Sequence, residues 1–397
     1  MQIGIVGAPN QGKSTFFNAA TQAGAEMAPY PFTTIKPSQG VGYVEVQCPC
    51  KEFKVKCTPR QGYCKDGRRF VPVTMLDVAG LVPDAHEGKG LGNQFLGDLA
   101  QANALIHVID CSGKTDVAGE SKPQDYENVR AKVLFLEKEV DYWMKGMLEK
   151  SWQKFARQAS MEHLKLEENI AKKFSGLGVN DVQVEEALNK TGLSGKGAEE
   201  WSSEDLLEFS TAIRRISKPL VIVANKIDVE GAEENYERLK KEFPDYYIVP
   251  CSAECELALR NAEKNGTIEY VPGSPDFKVL KEPKDEKHKK GIEFLKNFLD
   301  KYGTTGVQKA ISVAVFDLLG YITIFPAGSN KLVDSQGRTL PDAFLLPPES
   351  TALDFAYFLH SDFGDKFVCA IDVRKKMKIG KEHKLKNLDM IELVCGK

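Results

Sequence analysis

With 397 residues, 42% of them hydrophobic and 27% charged, the chain has the composition of a folded protein of two or three domains. A net charge of −3 excludes a whole-molecule electrostatic nucleic-acid binder, so any such role must reside in a local patch. No stretch approaches the roughly 18 apolar residues that span a bilayer, and no cleavable leader is expected because a strand-like run occupies Met1 to Val6. The expectation is a cytoplasmic protein with no membrane partner, in which nine cysteines, an odd number, serve as thiols or ligands rather than disulfides.

Gln2–Val6 predicts a strand, followed by a Gly-rich turn and a helix from Lys13 to about Gln22. Short apolar runs recur at Val71–Leu76, Ala104–Ile109, Leu220–Ala224 and Tyr247–Val249. Each is bounded by polar or turn residues and separated by enough chain for a crossover helix, so a mostly parallel α/β sheet is expected. Between the third and fourth runs, Val129, Val133, Leu136, Val140, Trp143 and Met147 step by four and three, the stripe of an amphipathic helix. Leu166, Ile170 and Phe174 suggest a returning helix, and Leu206, Phe209 and Ile213 another leading back to the sheet. Residues 281–290 are charged and read as a linker, with helical stretches following near 291–302 and 306–319. Short β-rich runs then appear at Tyr321–Phe325, Ala343–Leu346, Phe367–Val373 and Met390–Val394, with a helix at Ala352–Leu359. The expected divisions are 1–114 and 215–275 for the α/β domain, 115–214 for a helical insertion, 276–316 for linker and helices, and 317–397 for a small α+β domain.

Gly7 to Ser14 reads G-A-P-N-Q-G-K-S, the phosphate-binding loop pattern in its required place between strand and helix. Main-chain N–H groups of such a loop and the following helix N-terminus can cradle phosphates, which makes Pro9, Asn10, Gln11, Gly12, Lys13, Ser14 and Thr15 the candidate phosphate-binding set. Lys13 would reach the β- and γ-phosphates, and Ser14 would bind Mg²⁺. Asp77-Val78-Ala79-Gly80 follows a strand, placing Asp77 to hold Mg²⁺ and the Gly80 N–H to meet the γ-phosphate. Asn225-Lys226-Ile227-Asp228 follows another. Asp228 can accept two hydrogen bonds from guanine N1 and N2, a pair of donors adenine lacks, so GTP and GDP are favoured over ATP. Lys226 would lie along the base and Asn225 brace the loops, while Cys251-Ser252-Ala253 offers an N–H near guanine O6, adding Ser252 and Ala253.

Tyr30-Pro31-Phe32-Thr33-Thr34-Ile35-Lys36-Pro37 resembles the first switch of Obg-type GTPases, and Asp77 to Val82 with Glu87 to Leu96 resembles their second. The helical insertion and the segment Ser350 to Val394 are similar to the YchF-like and DRG-like branches, whose small domain, called TGS, has a β-grasp fold. The resemblance implies a Ras-like P-loop GTPase fold and a switch threonine, Thr34, that reaches Mg²⁺ when the γ-phosphate is present. It makes Lys13, Thr34 and Gly80 the catalytic set and Ser14, Thr34 and Asp77 the metal set. YchF itself changes the guanine-reading aspartate and uses ATP, whereas Asp228 is retained here, which implies a guanine-specific branch. It also implies a ribosome or structured RNA as partner.

Ras-type GTPases orient the attacking water with a glutamine after Asp-x-x-Gly; the residue here is Leu81, so slow intrinsic hydrolysis is expected. Asn10 stands where K⁺-activated relatives hold that cation, so K⁺ is a second candidate cofactor, against an asparagine that merely closes the turn. Turnover in KCl should exceed that in NaCl at equal ionic strength, and equal rates would sink the idea. His86 reads as a solvated loop residue and His107 as a buried strand histidine. Cys48, Cys50, Cys57 and Cys64 lie close in sequence, but their spacing is not that of a zinc ribbon, and a metal site, disulfides and free thiols all remain open. Residues 374–386 carry seven positive charges and one negative, a candidate phosphate-contacting patch that includes Lys375, Lys376 and Lys378, or an ordinary solvated face. The leading reading is a GTP-hydrolysing molecular switch; the alternatives are a nucleotide-stabilised scaffold and a less base-selective NTPase.

Overall fold

The computed structural model describes residues 1–21, 39–78, 92–162, 165–282, 285–329, 331–334 and 336–396, with the backbone alone at 92–96. In chain order the elements are β1 Gln2–Val6, α1 Lys13–Thr21, β2 Gln39–Gln47, β3 Tyr63–Lys65, β4 Arg68–Asp77, α2 Gly92–Gln101, β5 Ala104–Asp110, α3 Tyr126–Glu149, α4 Trp152–Met161, α5 Leu166–Lys173, α6 Asp181–Thr191, α7 Ser203–Ser217, β6 Leu220–Asn225, α8 Ala232–Glu242, β7 Ile248–Pro250, α9 Ala253–Lys264, β8 Ile268–Tyr270, β9 Phe277–Val279, α10 Glu286–Tyr302, α11 Val307–Ser312 continuing as a π-helical stretch Val313–Leu318, β10 Ile322–Pro326, β11 Phe344–Leu346, α12 Ala352–Leu359, α13 Ser361–Asp365, β12 Phe367–Asp372, β13 Met377–Ile379 and β14 Met390–Cys395. These residues form two compact units, one built from Met1–Ala19 and Thr74–Ala310, the other from Val41–Val73 and Ile311–Lys397. Among the described residues no helix is long and apolar enough to cross a membrane.

The first unit is organised by parallel strands in the order β4-β1-β5-β6-β7. Every residue of β5 and β6 is buried, as continuous apolar runs require when helices cover both faces. β1, β4 and β6 end at Val6, Asp77 and Asn225, so the loops bearing the expected nucleotide motifs leave the sheet at the carboxyl ends of their strands, where open α/β sheets bind ligands. The mostly parallel P-loop fold is the one expected from sequence.

Helices α3 to α7 lie between β5 and β6 and share one apolar core with the sheet, from Val6 and Leu76 through Leu136 and Phe209 to Leu299. The buried stripe of α3 begins as expected at Val129, Val133, Leu136 and Val140. It continues at Met144 and Leu148, leaving Trp143 and Met147 half-buried, because three successive steps of four keep the same face inward. Trp152 stacks on Trp201 with ring centroids 4.7 Å apart, and each indole N–H donates to a carbonyl, of Ala198 and Lys196 respectively. Capping boxes at Asn180 and Ser202 start α6 and α7.

In the second unit, strands in the order β11-β10-β14-β12-β13 cover α12, whose Ala352 and Phe355 pack on Ile324, Leu346, Ala370 and Ile391. The central β10–β14 pair is parallel and its flanks are antiparallel, the β-grasp arrangement. Thr351 and Asp354 form the capping box that starts α12.

Candidate nucleotide site

The loop after β1 is shaped by close approaches that only glycine allows. At Gly7 a Cβ would lie 2.4 Å from the Val108 carbonyl oxygen; at Gly12, with φ of +88°, it would lie 2.2 Å from the Asn225 amide nitrogen. The Phe16 N–H bonds to the Gly12 carbonyl, so α1 starts at Lys13, and its first turn carries no acidic residue to neutralise its positive end. Ser14 is exposed there, with Thr15 half-buried beside it. Asn10 donates through its side-chain amide to the Gly119 carbonyl at 3.0 Å, which ties the loop tip to the segment after β5. Gln11 is buried and bridges three points: its amide donates to Pro9 O and Thr115 Oγ1, and its Oε1 accepts from the Asp110 N–H at 2.6 Å.

Lys13 donates to the Val78 carbonyl at 2.6 Å and stands 4.0 Å from Asp77 Oδ1. Burial lowers the Lys13 pKa, partly offset by Asp77. Asp77 shows the reverse: burial raises its carboxyl, Lys13 opposes the rise, and Asp98 adds to it. Its Oδ1 is buried with no hydrogen-bond partner among the described residues. A buried carboxylate oxygen in that condition fits a site for a divalent cation.

On the base side, buried Asn225 holds two loops together. Its amide donates to Gln11 O at 2.9 Å, and its Oδ1 accepts from the Ala253 N–H at 3.0 Å. Lys226 donates to Asn10 O at 3.1 Å and to Asp110 Oδ2 at 2.8 Å, which leaves its aliphatic stem to flank a base. The Ser252 hydroxyl caps α9 by accepting from the Cys255 N–H, and the Ser252 N–H donates to the Thr305 carbonyl. Asp228 is exposed and has no hydrogen-bond partner among the described residues, so both its oxygens are open to a ligand.

Three family descriptions match: a 50S ribosome-binding GTPase over residues 2–142, an Obg-like GTPase YGR210-like G4-motif-containing domain over 223–328, and a TGS domain over 333–395. The chain is 48% identical to an uncharacterized GTP-binding protein of Methanocaldococcus jannaschii over 99% of each. The chain belongs to the Obg family of P-loop GTPases, with a C-terminal TGS domain. The crystal structure of a GTP-binding protein from Pyrococcus horikoshii OT3 superimposes with a TM-score of 0.79 at 38% identity, covering 100% of both chains. A protein of Buchnera aphidicola named ribosome-binding ATPase YchF is 29% identical over 92% of this chain and 86% of its own.

Of the Obg-type motifs, those of Gly7 to Thr15, Asp77, Asn225 to Asp228 and Ser252–Ala253 fall within the described structure. Thr34, Gly80, Leu81 and His86 lie outside the described residues. Asp110, which the sequence reading passed over, anchors the site. It is buried; its Oδ1 accepts from the N–H and hydroxyl of Ser112, and its Oδ2 from Thr115 and Lys226. Burial raises its carboxyl, but the donors from Lys226 and Ser112 outweigh that and hold it below the usual range. The signal available in sequence was its place at the end of an apolar run, the same place that flags Asp77 and Asn225. His107 is buried within β5, and burial pushes its pKa down to about 3, so it is a neutral strand residue.

Proposed function

We propose that this Obg-family protein binds GTP in preference to ATP, hydrolyses it slowly with Mg²⁺, and uses the two nucleotide states to regulate association with the ribosome or another structured RNA. The observation that carries the reading is Asp228: an open carboxylate beside a lysine and an asparagine already locked in place. Two acceptors facing one base edge select a base with two donors, which is guanine. Ser14 and Asp77, with Thr34, would hold Mg²⁺, which neutralises charge between the β- and γ-phosphates. Lys13 would add its charge on the same oxygens. Leu81 cannot orient water, which supports slow turnover. Asn10 is the residue that would bring K⁺ to the phosphates, although its amide nitrogen is already used on Gly119.

The names of relatives support the ribosome as partner, and the TGS domain supplies a basic surface narrower than its sequence suggests. Arg374 pairs with Glu52, Lys375 with Asp372 at 2.8 Å, Lys384 with Glu349, and Lys381 approaches Glu382. Lys376, Lys378 and Lys386 are exposed and carry no ion pair among the described residues. These three, rather than Lys375, are the cations open to phosphate. Sedimentation with ribosomes tests the whole reading. Capture is expected with a non-hydrolysable GTP analogue and not with GDP or an ATP analogue, since a switch requires different affinities in its states. Changing the three lysines to glutamine should flatten the log–log salt dependence by about 2–3. Equal capture in all nucleotide states would favour the scaffold.

A further inference from the structure

The segment between β2 and β3, residues 48–62, contains no helix or strand, yet it is tightly folded. Cys48 and Cys50 leave β2 as a Cys-Pro-Cys turn, closed by the Val55 N–H on the Cys50 carbonyl and the Phe53 N–H on the Pro49 carbonyl. Cys57 returns to them, and Cys64 reaches them from β3. All four sulfurs lie within 4.8 Å of one another, with Cys48 Sγ 3.9 Å from Cys57 Sγ and Cys50 Sγ 3.8 Å from Cys64 Sγ. None of the four is in a disulfide.

A zinc–thiolate bond of about 2.3 Å implies a tetrahedron whose edges are about 3.8 Å, and the Cys48–Cys57 and Cys50–Cys64 separations match it. A buried cation lies beside the cluster. Arg69 is completely buried, donates to the carbonyls of Leu340 and Pro341, and leaves its Nε without a partner. It has no carboxylate partner among the described residues, and the β3–β4 pairing sets it directly across from Cys64. A buried cation of this kind calls for a nearby anion.

We propose that Cys48, Cys50, Cys57 and Cys64 bind one structural zinc ion. Binding would release four thiol protons to solvent and leave a centre of net charge −2 beside Arg69. All four ligands are protein sulfurs, so no position stays open for catalysis. The ion clips a loop that must hold its shape, because Thr58 and Arg60 donate their N–H groups to the carbonyls of Thr339 and Pro341, and Arg60 pairs with Asp342. The inference is independent of what the nucleotide site binds.

Elemental analysis of the full-length protein, purified without added metal, is expected to find about one zinc per chain. Protein exchanged with Co²⁺ should show the intense visible bands of a tetrahedral thiolate site, a test that needs no variant. Cys57→Ser and Cys64→Ser should drop the zinc content several-fold while Cys369→Ser retains it. Stripping the metal should open Lys51, Lys54, Lys56 and Arg60 to trypsin. Metal-free protein whose loop resists trypsin, a Co²⁺ spectrum without thiolate character, or stoichiometric iron in place of zinc would overturn the assignment.

Discussion

The Asp228→Asn variant is expected to lose GTP affinity by on the order of 100-fold and to gain xanthosine triphosphate in exchange. Guanine presents two donors, N1–H and the 2-amino group, and the aspartate carboxylate can accept both at once. An asparagine keeps one acceptor and turns an NH₂ group toward a donor, so one hydrogen bond becomes a repulsion. Xanthine carries a carbonyl where guanine has its amino group, and the new NH₂ can donate to it. Adenine has an acceptor at N1 and a bare C–H at position 2, so the native carboxylate should reject ATP by a comparable factor. The substitution is clean because Asp228 is exposed and has no partner to lose among the described residues. Ile227 beside it stays buried, with its N–H on the Cys251 carbonyl, so the melting temperature should not move. Titration calorimetry with GTP, XTP and ATP at constant Mg²⁺ reads the result. Native protein that binds ATP as tightly as GTP, or a variant that keeps its GTP affinity, would refute guanine selectivity.

What could be read from sequence follows from which signals are local. The phosphate loop was legible because Gly7 and Gly12 answer to contacts with the backbone of β5 and the side chain of Asn225 that nearly any protein of this fold must make. β5 and β6 announce themselves because a strand buried on both faces reads as a nearly unbroken apolar run, here interrupted only by His107 and closed by Asp110 and Asn225. Four of the five TGS strands and α12 were found within a residue or two; β13, Met377–Ile379, lies inside the basic run and gave no strand signal. Asp110 was not found, because its role depends on Lys226, far along the chain and brought to it by the pairing of β5 with β6. Lys375 shows the converse: a run of positive charge says nothing about the carboxylates that fold against it, and here Asp372 does so at 2.8 Å. The cysteine cluster was ambiguous in sequence because its spacing fits no familiar ribbon. Only the turn at Pro49 and the β3–β4 hairpin bring the four sulfurs together.

The largest effect on stability is expected at Arg214 in α7, where Arg214→Leu should cost about 3–5 kcal/mol. The guanidinium is almost wholly buried; its Nε donates to Asp141 at 2.5 Å and its NH2 to Glu137 at 2.8 Å, both on α3. Thr211 also donates to Asp141, and the Tyr246 hydroxyl bonds to Glu137. Burial already raises the Asp141 carboxyl, and Arg214 is the main force opposing that rise. Leucine would fill much of the space but leave Asp141 in low dielectric without a cation, while Glu137 would keep only Arg215, 3.9 Å away. Asp141 would respond by binding a proton. A carboxyl whose pKa is raised in the folded state stabilises most at low pH and loses that contribution as pH climbs through its folded value. The defect should therefore be smaller near pH 5 than near pH 8. Adding Asp141→Leu to Arg214→Leu should recover a large part of the loss, since replacing both partners removes the stranded charge. All three tryptophans of the chain, Trp143, Trp152 and Trp201, lie in the helical insertion, so urea unfolding followed by fluorescence reports on this region directly. A single variant within about 1 kcal/mol of the native protein at pH 8 would mean that solvent reaches these carboxylates and that α3 and α7 are held by their apolar faces alone.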